Sequence, residues 1–117
     1  MRYMLLIYAD ESRLASASEA DQQTDMQAWF AYDAAIKESA ASAGDALQPI
    51  STATSVRQED DGPLVTDGPF AETREQLGGY YLLDVADLDE AIGWAQKCPG
   101  VKYGTIELRP IMEFPEG

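Results

Sequence analysis

The chain has 117 residues and a mass of 12.8 kDa, and 45% of its residues are apolar. This length and composition predict a single globular domain over residues 1–117, and they exclude a disordered, collagen-like or coiled-coil protein. The chain carries 8 basic and 21 acidic residues, which gives a net charge of −13. A surface this acidic repels phosphate groups, so we expect no direct binding to nucleic acid or to anionic membranes.

Several kinds of chemistry are excluded by what the sequence lacks. The chain contains no histidine, which removes Ser-His-Asp and Cys-His nucleophiles and histidine-based zinc sites. Its single cysteine, Cys98, makes no internal disulfide, and no glycine-rich nucleotide-binding motif occurs. We therefore expect no cofactor and no metal. The apolar start is short and is interrupted at Asp10, so we expect no signal sequence and a cytoplasmic protein.

The first half of the chain predicts a strand followed by a long helix. Residues 2–8 are apolar at both alternate sets of positions, which is typical of a strand covered on both faces. Residues 19 to about 39 have a helical period, and the apolar residues of one arc are Met26, Trp29, Phe30 and Ala40. Asp33 and Lys37 lie within this arc. They form either a surface ion pair or, alternatively, one edge of a cleft.

The second half predicts a hairpin, a strand, a helix and a last strand. Residues 52–57 and 64–66 pair across the polar turn at residues 59–63, and residues 80–85 form the next strand. Asp87 and Glu90 form a helix-capping box for the second helix, which ends at Pro99. Its apolar stripe includes Cys98, which we predict to be a small buried side chain rather than a nucleophile. Residues 104–109 form the last strand.

This order predicts an α+β fold, namely a ferredoxin-like βαββαβ unit with one antiparallel sheet. In such a unit both helices cover one face of the sheet and leave the other face open. The first strand is apolar on both sides, so we expect the open face to be covered by a second copy of the chain. The predicted assembly is a homodimer that forms an α+β barrel.

A candidate ligand site is predicted where strand ends would meet. Its seven residues are Tyr8, Gln48, Thr54, Arg57, Asp67, Phe70 and Tyr80. In this hypothesis Arg57 binds a small anionic group, and Asp67 accepts a proton with Tyr8 or Tyr80 as the acid. Asp67 begins the sequence Asp-Gly-Pro-Phe, so the alternative is that its carboxylate caps its own loop.

The segment from Leu64 to Val85, with its sequence Asp67-Gly-Pro-Phe-Ala-Glu-Thr and the pair Gly78-Gly79, resembles the YCII-related proteins of the DGPF subgroup. Residues 4–8, 47–49 and 106–110 are also similar to that family. The resemblance implies a ferredoxin-like fold, a dimeric α+β barrel and a pocket beside the sheet. It also implies a regulatory link to a sigma factor. A His–Asp pair is proposed as catalytic in some relatives, and this chain has no histidine.

Two functions remain open, and whether the protein is an enzyme stays undecided. The first is a regulatory or ligand-binding homodimer that recognises a small polar molecule or a basic protein. The second is a cofactor-free lyase or isomerase in which Asp67 is the general base and Arg57 orients an anionic substrate. The missing histidine and the absence of a catalytic motif favour the first.

Overall fold

The computed structural model describes residues 1–115. The strands in chain order are β1 Arg2–Ala9, β2 Ala41–Ala46, β3 Thr54–Glu59, β4 Gly62–Asp67, β5 Gln76–Asp84 and β6 Thr105–Pro110. Four of them form an antiparallel sheet with the order β2-β5-β1-β6. The other two, β3 and β4, form a separate two-stranded sheet. The α-helices are α1 Glu11–Ala15, α2 Glu19–Ser39 and α3 Leu88–Lys97. The predicted α+β class is therefore confirmed.

The core lies between the four-stranded sheet and the helices α2 and α3. Strand β1 alternates in burial, with Tyr3, Leu5 and Ile7 facing the helices. On the neighbouring strand β5, Tyr81 and Leu83 face the same way, and the register pairs Leu5 with Tyr81. This alternation is what a sheet covered by helices requires, because successive side chains point to opposite faces.

Helix α2 begins and ends where the sequence predicts, but the face that it buries is different. The Ser18 hydroxyl accepts a hydrogen bond from the backbone N–H of Asp21 and caps the helix. The buried residues are Tyr32 and Ile36, whereas Phe30 remains 69% exposed. The predicted arc is right at Trp29, which packs against the core, and at Ala40, which is buried in it. It is wrong at the exposed Met26 and Phe30, because Tyr32 turns inward instead. Its hydroxyl donates to the Trp94 carbonyl at 2.8 Å, and its ring packs edge-on against three aromatic neighbours.

Helix α3 confirms its predicted start. The Asp87 carboxylate accepts from the backbone N–H of Glu90 at 2.9 Å, and the Glu90 carboxylate accepts from the N–H of Ala86. These two bonds satisfy amide groups that a helix start would otherwise leave unpaired. At the other end Cys98 is buried, as predicted, and a 3₁₀ turn at Pro99–Lys102 leads to β6.

Strand β2 was missed by the sequence analysis. Its sequence, Ala-Ser-Ala-Gly-Asp-Ala, has no β-branched or aromatic residue, so nothing in it predicts a strand. The strand forms because it pairs with β5 along the edge of the sheet. Gly44 is required at this edge, since an added Cβ would overlap the Tyr81 ring and come within 2.9 Å of the Tyr80 carbonyl oxygen.

The hairpin of β3 and β4 corrects the prediction of one sheet. The two strands pair only with each other within residues 1–115, and neither contains a buried residue. Val56 and Val65 face each other in the register and are 65% and 62% exposed. The radius of gyration is 16.5 Å, against about 13 Å for a compact chain of this length, which agrees with an arm that projects from the main sheet.

No helix in residues 1–115 has the length and apolar character needed to cross a membrane.

Candidate ligand cavity

A cavity of about 490 Å³ opens between helix α2 and the helix-facing side of the sheet. Helix α2 forms one wall, and the ends of β1, β2 and β5 form the opposite wall. The side chains that line it with aromatic rings or charges are Asp25, Trp29, Phe30, Asp33, Lys37, Tyr81 and Tyr103. It exists because small residues, Gly44, Ala46, Gly78 and Gly79, occupy the facing strands where larger side chains would fill the space.

A chain of hydrogen bonds holds the end of the cavity near the 3₁₀ turn. The Trp29 indole N–H donates to the Tyr103 hydroxyl at 2.8 Å, and that hydroxyl donates to the Asp25 carboxylate at 3.1 Å. Burial is the main cause that raises the pKa of Tyr103 to about 12. The phenol is therefore neutral at ordinary pH and keeps its proton on the bond to Asp25.

A second set of bonds joins α2 to strand β5 further along the cavity. The Tyr81 hydroxyl donates to Asp33 Oδ1 at 2.7 Å, and Lys37 Nζ lies 3.2 Å from the same oxygen. The Tyr81 bond and the Lys37 ammonium lower the pKa of Asp33, so its carboxylate is ionised at neutral pH. Burial raises the pKa of Tyr81. Both halves of the Asp33 alternative hold, because Asp33 pairs with Lys37 and also lines the cavity.

Cys98 lies in the hydrophobic core. Burial raises the pKa of its thiol to about 11, so the thiol is protonated at neutral pH and is a poor nucleophile. Within residues 1–115, no group of three or more His, Cys, Asp or Glu side chains is placed to hold a metal ion.

The seven residues predicted for the site fall outside this cavity, and four of them lie on or beside the hairpin. Thr54 and Asp67 are opposite each other at its base, and Arg57 lies further along β3. All three are exposed, and Phe70 is 83% exposed. The base of the hairpin is closed by Ser55 Oγ and by backbone, rather than by an Asp67 cap. The roles of these residues in catalysis or binding stay predictions.

The other three predicted residues lie on the main sheet or at its edge. The Tyr8 hydroxyl donates to Glu107 at 3.4 Å. Burial is the main cause that raises the pKa of Tyr8, and the negative charge of Glu107 is the second. The Tyr80 hydroxyl donates to Asp45 Oδ2 at 2.7 Å, which raises its pKa. Gln48 is exposed in the segment after β2. The structure therefore separates Tyr8 and Tyr80 from the hairpin residues, because the hairpin does not pair with the main sheet.

Sequence reasoning placed the ligand site elsewhere, although the arc predicted for α2 contains four residues that line the cavity, Trp29, Phe30, Asp33 and Lys37. It missed Asp25 and Tyr103, which come together through a tertiary contact between α2 and the segment before β6. The available signal was the i, i+4 spacing of Asp25, Trp29 and Asp33, which puts polar groups and an aromatic ring on one stripe of a helix.

Comparison with known proteins places the chain in a family. Residues 1–115 match the YCII-related domain. The chain belongs to the YCII-related family. It is also 35% identical to an uncharacterized protein of Rhizobium meliloti (strain 1021), in an alignment that covers all of this chain and 97% of the relative. The resemblance to the YCII-related family is therefore confirmed.

Proposed function

We propose that this YCII-related protein is a small-molecule-binding homodimer of regulatory function, and that its ligand binds in the cavity between α2 and the sheet. The observation that carries the proposal is the cavity itself, about 490 Å³ in volume. Ligand pockets in proteins range from about 300 to about 1,000 Å³ and combine apolar walls with a few fixed polar groups. The rings of Trp29, Tyr81 and Tyr103 supply the walls, and Asp25 and Asp33 supply the polar groups.

The polar groups are fixed before any ligand arrives. Asp33 is held by Tyr81 and Lys37, and Asp25 is held by Tyr103. Side chains that are already ordered lose little further conformational freedom on binding, so such a cavity binds a matching ligand more tightly than a mobile one would. The sequence Asp67-Gly68-Pro69-Phe70 further supports membership of the DGPF subgroup, in which this cavity would be the ligand site.

A thermal-shift screen of a mixed small-molecule library tests the cavity as a ligand site. A ligand present at about 100 times its Kd stabilises the native state by about 2.7 kcal/mol. Ala46 points into the cavity from β2, so Ala46→Phe should abolish every shift that reflects binding there. The control is Ala34→Phe, the same substitution at an exposed position of α2 that does not line the cavity. Hits that survive Ala46→Phe would reject the site.

The homodimer is proposed to form through the sheet face opposite the helices. The order β2-β5-β1-β6, with α2 connecting β1 to β2 and α3 connecting β5 to β6, is compatible with a ferredoxin-like unit that has one uncovered face. The centre of that face is apolar, because Met4 lies opposite Leu82 in the register and Leu6 opposite Tyr80. A second copy would bury these side chains and close an α+β barrel.

Sedimentation equilibrium tests the dimer. We expect the wild-type mass to be twice 12.8 kDa. Leu6→Asp puts a charge at the centre of the proposed interface and should give a folded monomer, with unchanged far-UV circular dichroism. Ala34→Asp adds the same charge to the exposed side of α2 and should leave the dimer intact. A wild-type monomer at micromolar concentration would rule out this assembly.

A further inference from the structure

The polar groups of the cavity carry an unbalanced charge. Among the lining residues, Asp45 turns its carboxylate to the Tyr80 hydroxyl, 2.7 Å away on the other face of the sheet. Two carboxylates remain, those of Asp25 and Asp33, and the ammonium of Lys37 is the basic group among the lining residues. That ammonium is already 3.2 Å from Asp33 Oδ1. The chain as a whole has a net charge of −13, so no distant excess of positive charge offsets the carboxylates. An anionic ligand would therefore be repelled on entering the cavity.

The hydrogen-bond donors of the aromatic side chains are also already used. The Trp29 indole donates to Tyr103, and Tyr103 donates to Asp25. From β5, Tyr81 donates to Asp33. A carboxylate only accepts hydrogen bonds and has capacity for about four, so these bonds leave acceptor sites on both carboxylates. Such a cavity matches a ligand that brings its own donors.

We infer that the ligand is a protonated organic amine with an apolar or aromatic body. This inference rests on the cavity being the ligand site proposed above. The ammonium group donates to Asp33, which replaces a hydrogen bond that it loses from water. The ring faces of Trp29, Tyr81 and Tyr103 pack against the body of the amine and attract its positive charge.

Three ligands of matched shape test the chemical class by isothermal titration calorimetry at neutral pH. They are 3-phenylpropylamine, 3-phenylpropan-1-ol and 3-phenylpropanoate, which differ only in carrying a positive, neutral or negative head. Replacing a charged hydrogen bond by a neutral one weakens binding by about tenfold or more, so we expect the amine to bind at least about tenfold more tightly than the alcohol. The propanoate should bind more weakly than either.

Two variants locate the effect at the cavity. Asp33→Asn keeps the shape of the side chain and its bond from Tyr81 but removes the charge, so it should weaken amine binding and leave alcohol binding unchanged. Asp60→Asn removes a carboxylate from the exposed tip of the hairpin and is the matched control for attraction to the acidic surface. It should change neither affinity.

Failure of this inference is distinguishable from failure of the ligand site. If the alcohol or the propanoate binds as tightly as the amine, and Ala46→Phe abolishes that binding, the site stands and the amine class is wrong. If the amine binds equally well to Ala46→Phe, or equally well to Asp33→Asn, the inference is overturned. Absence of amine binding at millimolar concentration also overturns it, and the library screen then decides whether the cavity binds any ligand.

Discussion

The two sheets of this YCII-related protein differ in what surrounds them. The four-stranded sheet buries Leu5 and Leu83 completely beneath the helices, and the cavity lies on the same side. The two-stranded sheet has no buried residue in either strand within the part of the chain that the structure describes. Isolated two-stranded hairpins are marginally stable in water. The residues around Asp67, which are the most conspicuous in the sequence, therefore lie where the fold leaves them exposed to solvent.

This difference has a consequence for function. A ligand gains most where water is excluded and where polar groups are held in place. Asp33 meets the second condition, because its carboxylate is bonded to Tyr81, and it lines the cavity with its side chain 41% exposed. Asp67 is exposed on the projecting hairpin. We therefore place the proposed ligand site in the cavity rather than on the hairpin.

The largest effect is expected from truncating a leucine in each sheet. Leu83 on β5 is fully buried, and Leu83→Ala should lower the free energy of unfolding by about 2–5 kcal/mol. Leu64 on β4 is 47% exposed, and the same substitution there should change the free energy by less than about 1 kcal/mol. Urea unfolding of the two variants gives both values. An equal loss of unfolding free energy in both variants would contradict this difference between the sheets. It would indicate that the hairpin is covered by another surface, such as a second copy.

A smaller effect is expected from replacing a glycine by alanine in the four-stranded sheet and, separately, in helix α3. Gly44→Ala places a methyl group against the Tyr81 ring at the cavity wall, and overpacking of this kind lowers stability by about 1–3 kcal/mol. In Gly93→Ala the new methyl group on α3 meets no atom within 4 Å. That variant should be more stable by about 0.5–1 kcal/mol, since alanine is the better helix former. The test is the difference in thermal midpoint, and a gain from Gly44→Ala would refute the close packing at this wall.

Part of the fold and a smaller part of the cavity could be predicted from the sequence. Strand β1 and helices α2 and α3 were predicted because periodicity and capping are local properties of the chain. Strand β2 was not, because its pairing with β5 is a tertiary contact that its own residues do not encode. The cavity was missed for the same reason, since it depends on which face of α2 turns inward. Asp33 was recognised as a cavity-edge candidate because its spacing from Lys37 is local.

A further effect is expected at alkaline pH. Tyr103 in the native protein has a pKa of about 12, against about 10 in the unfolded chain. A native pKa above the unfolded value contributes stability that is complete below about pH 10 and is lost as the pH rises toward 12. Burial raises the pKa of Tyr81 in the same direction. Urea midpoints measured as the pH is raised should therefore fall in the alkaline range.

The control for this effect is Tyr103→Phe, which removes the titrating hydroxyl. Its urea midpoint should fall less steeply over the same alkaline range than that of the wild type, although the variant starts from a lower stability because Trp29 loses its partner. If both proteins lose stability with the same slope, the Tyr103 phenol does not have the raised pKa.

The most direct test of the cavity is a titration of the ¹⁵N-labelled protein with 3-phenylpropylamine, followed by ¹H–¹⁵N correlation spectra. The chain has two tryptophans, and Trp29 lines the cavity while Trp94 packs against the core beneath Lys97. We predict that the Trp29 indole signal and the amide signal of Asp33 shift in parallel, and that the Trp94 indole signal stays in place. Shifts confined to the hairpin, at Arg57 and Asp67, would contradict binding in the cavity and would place the ligand at the residues predicted from the sequence.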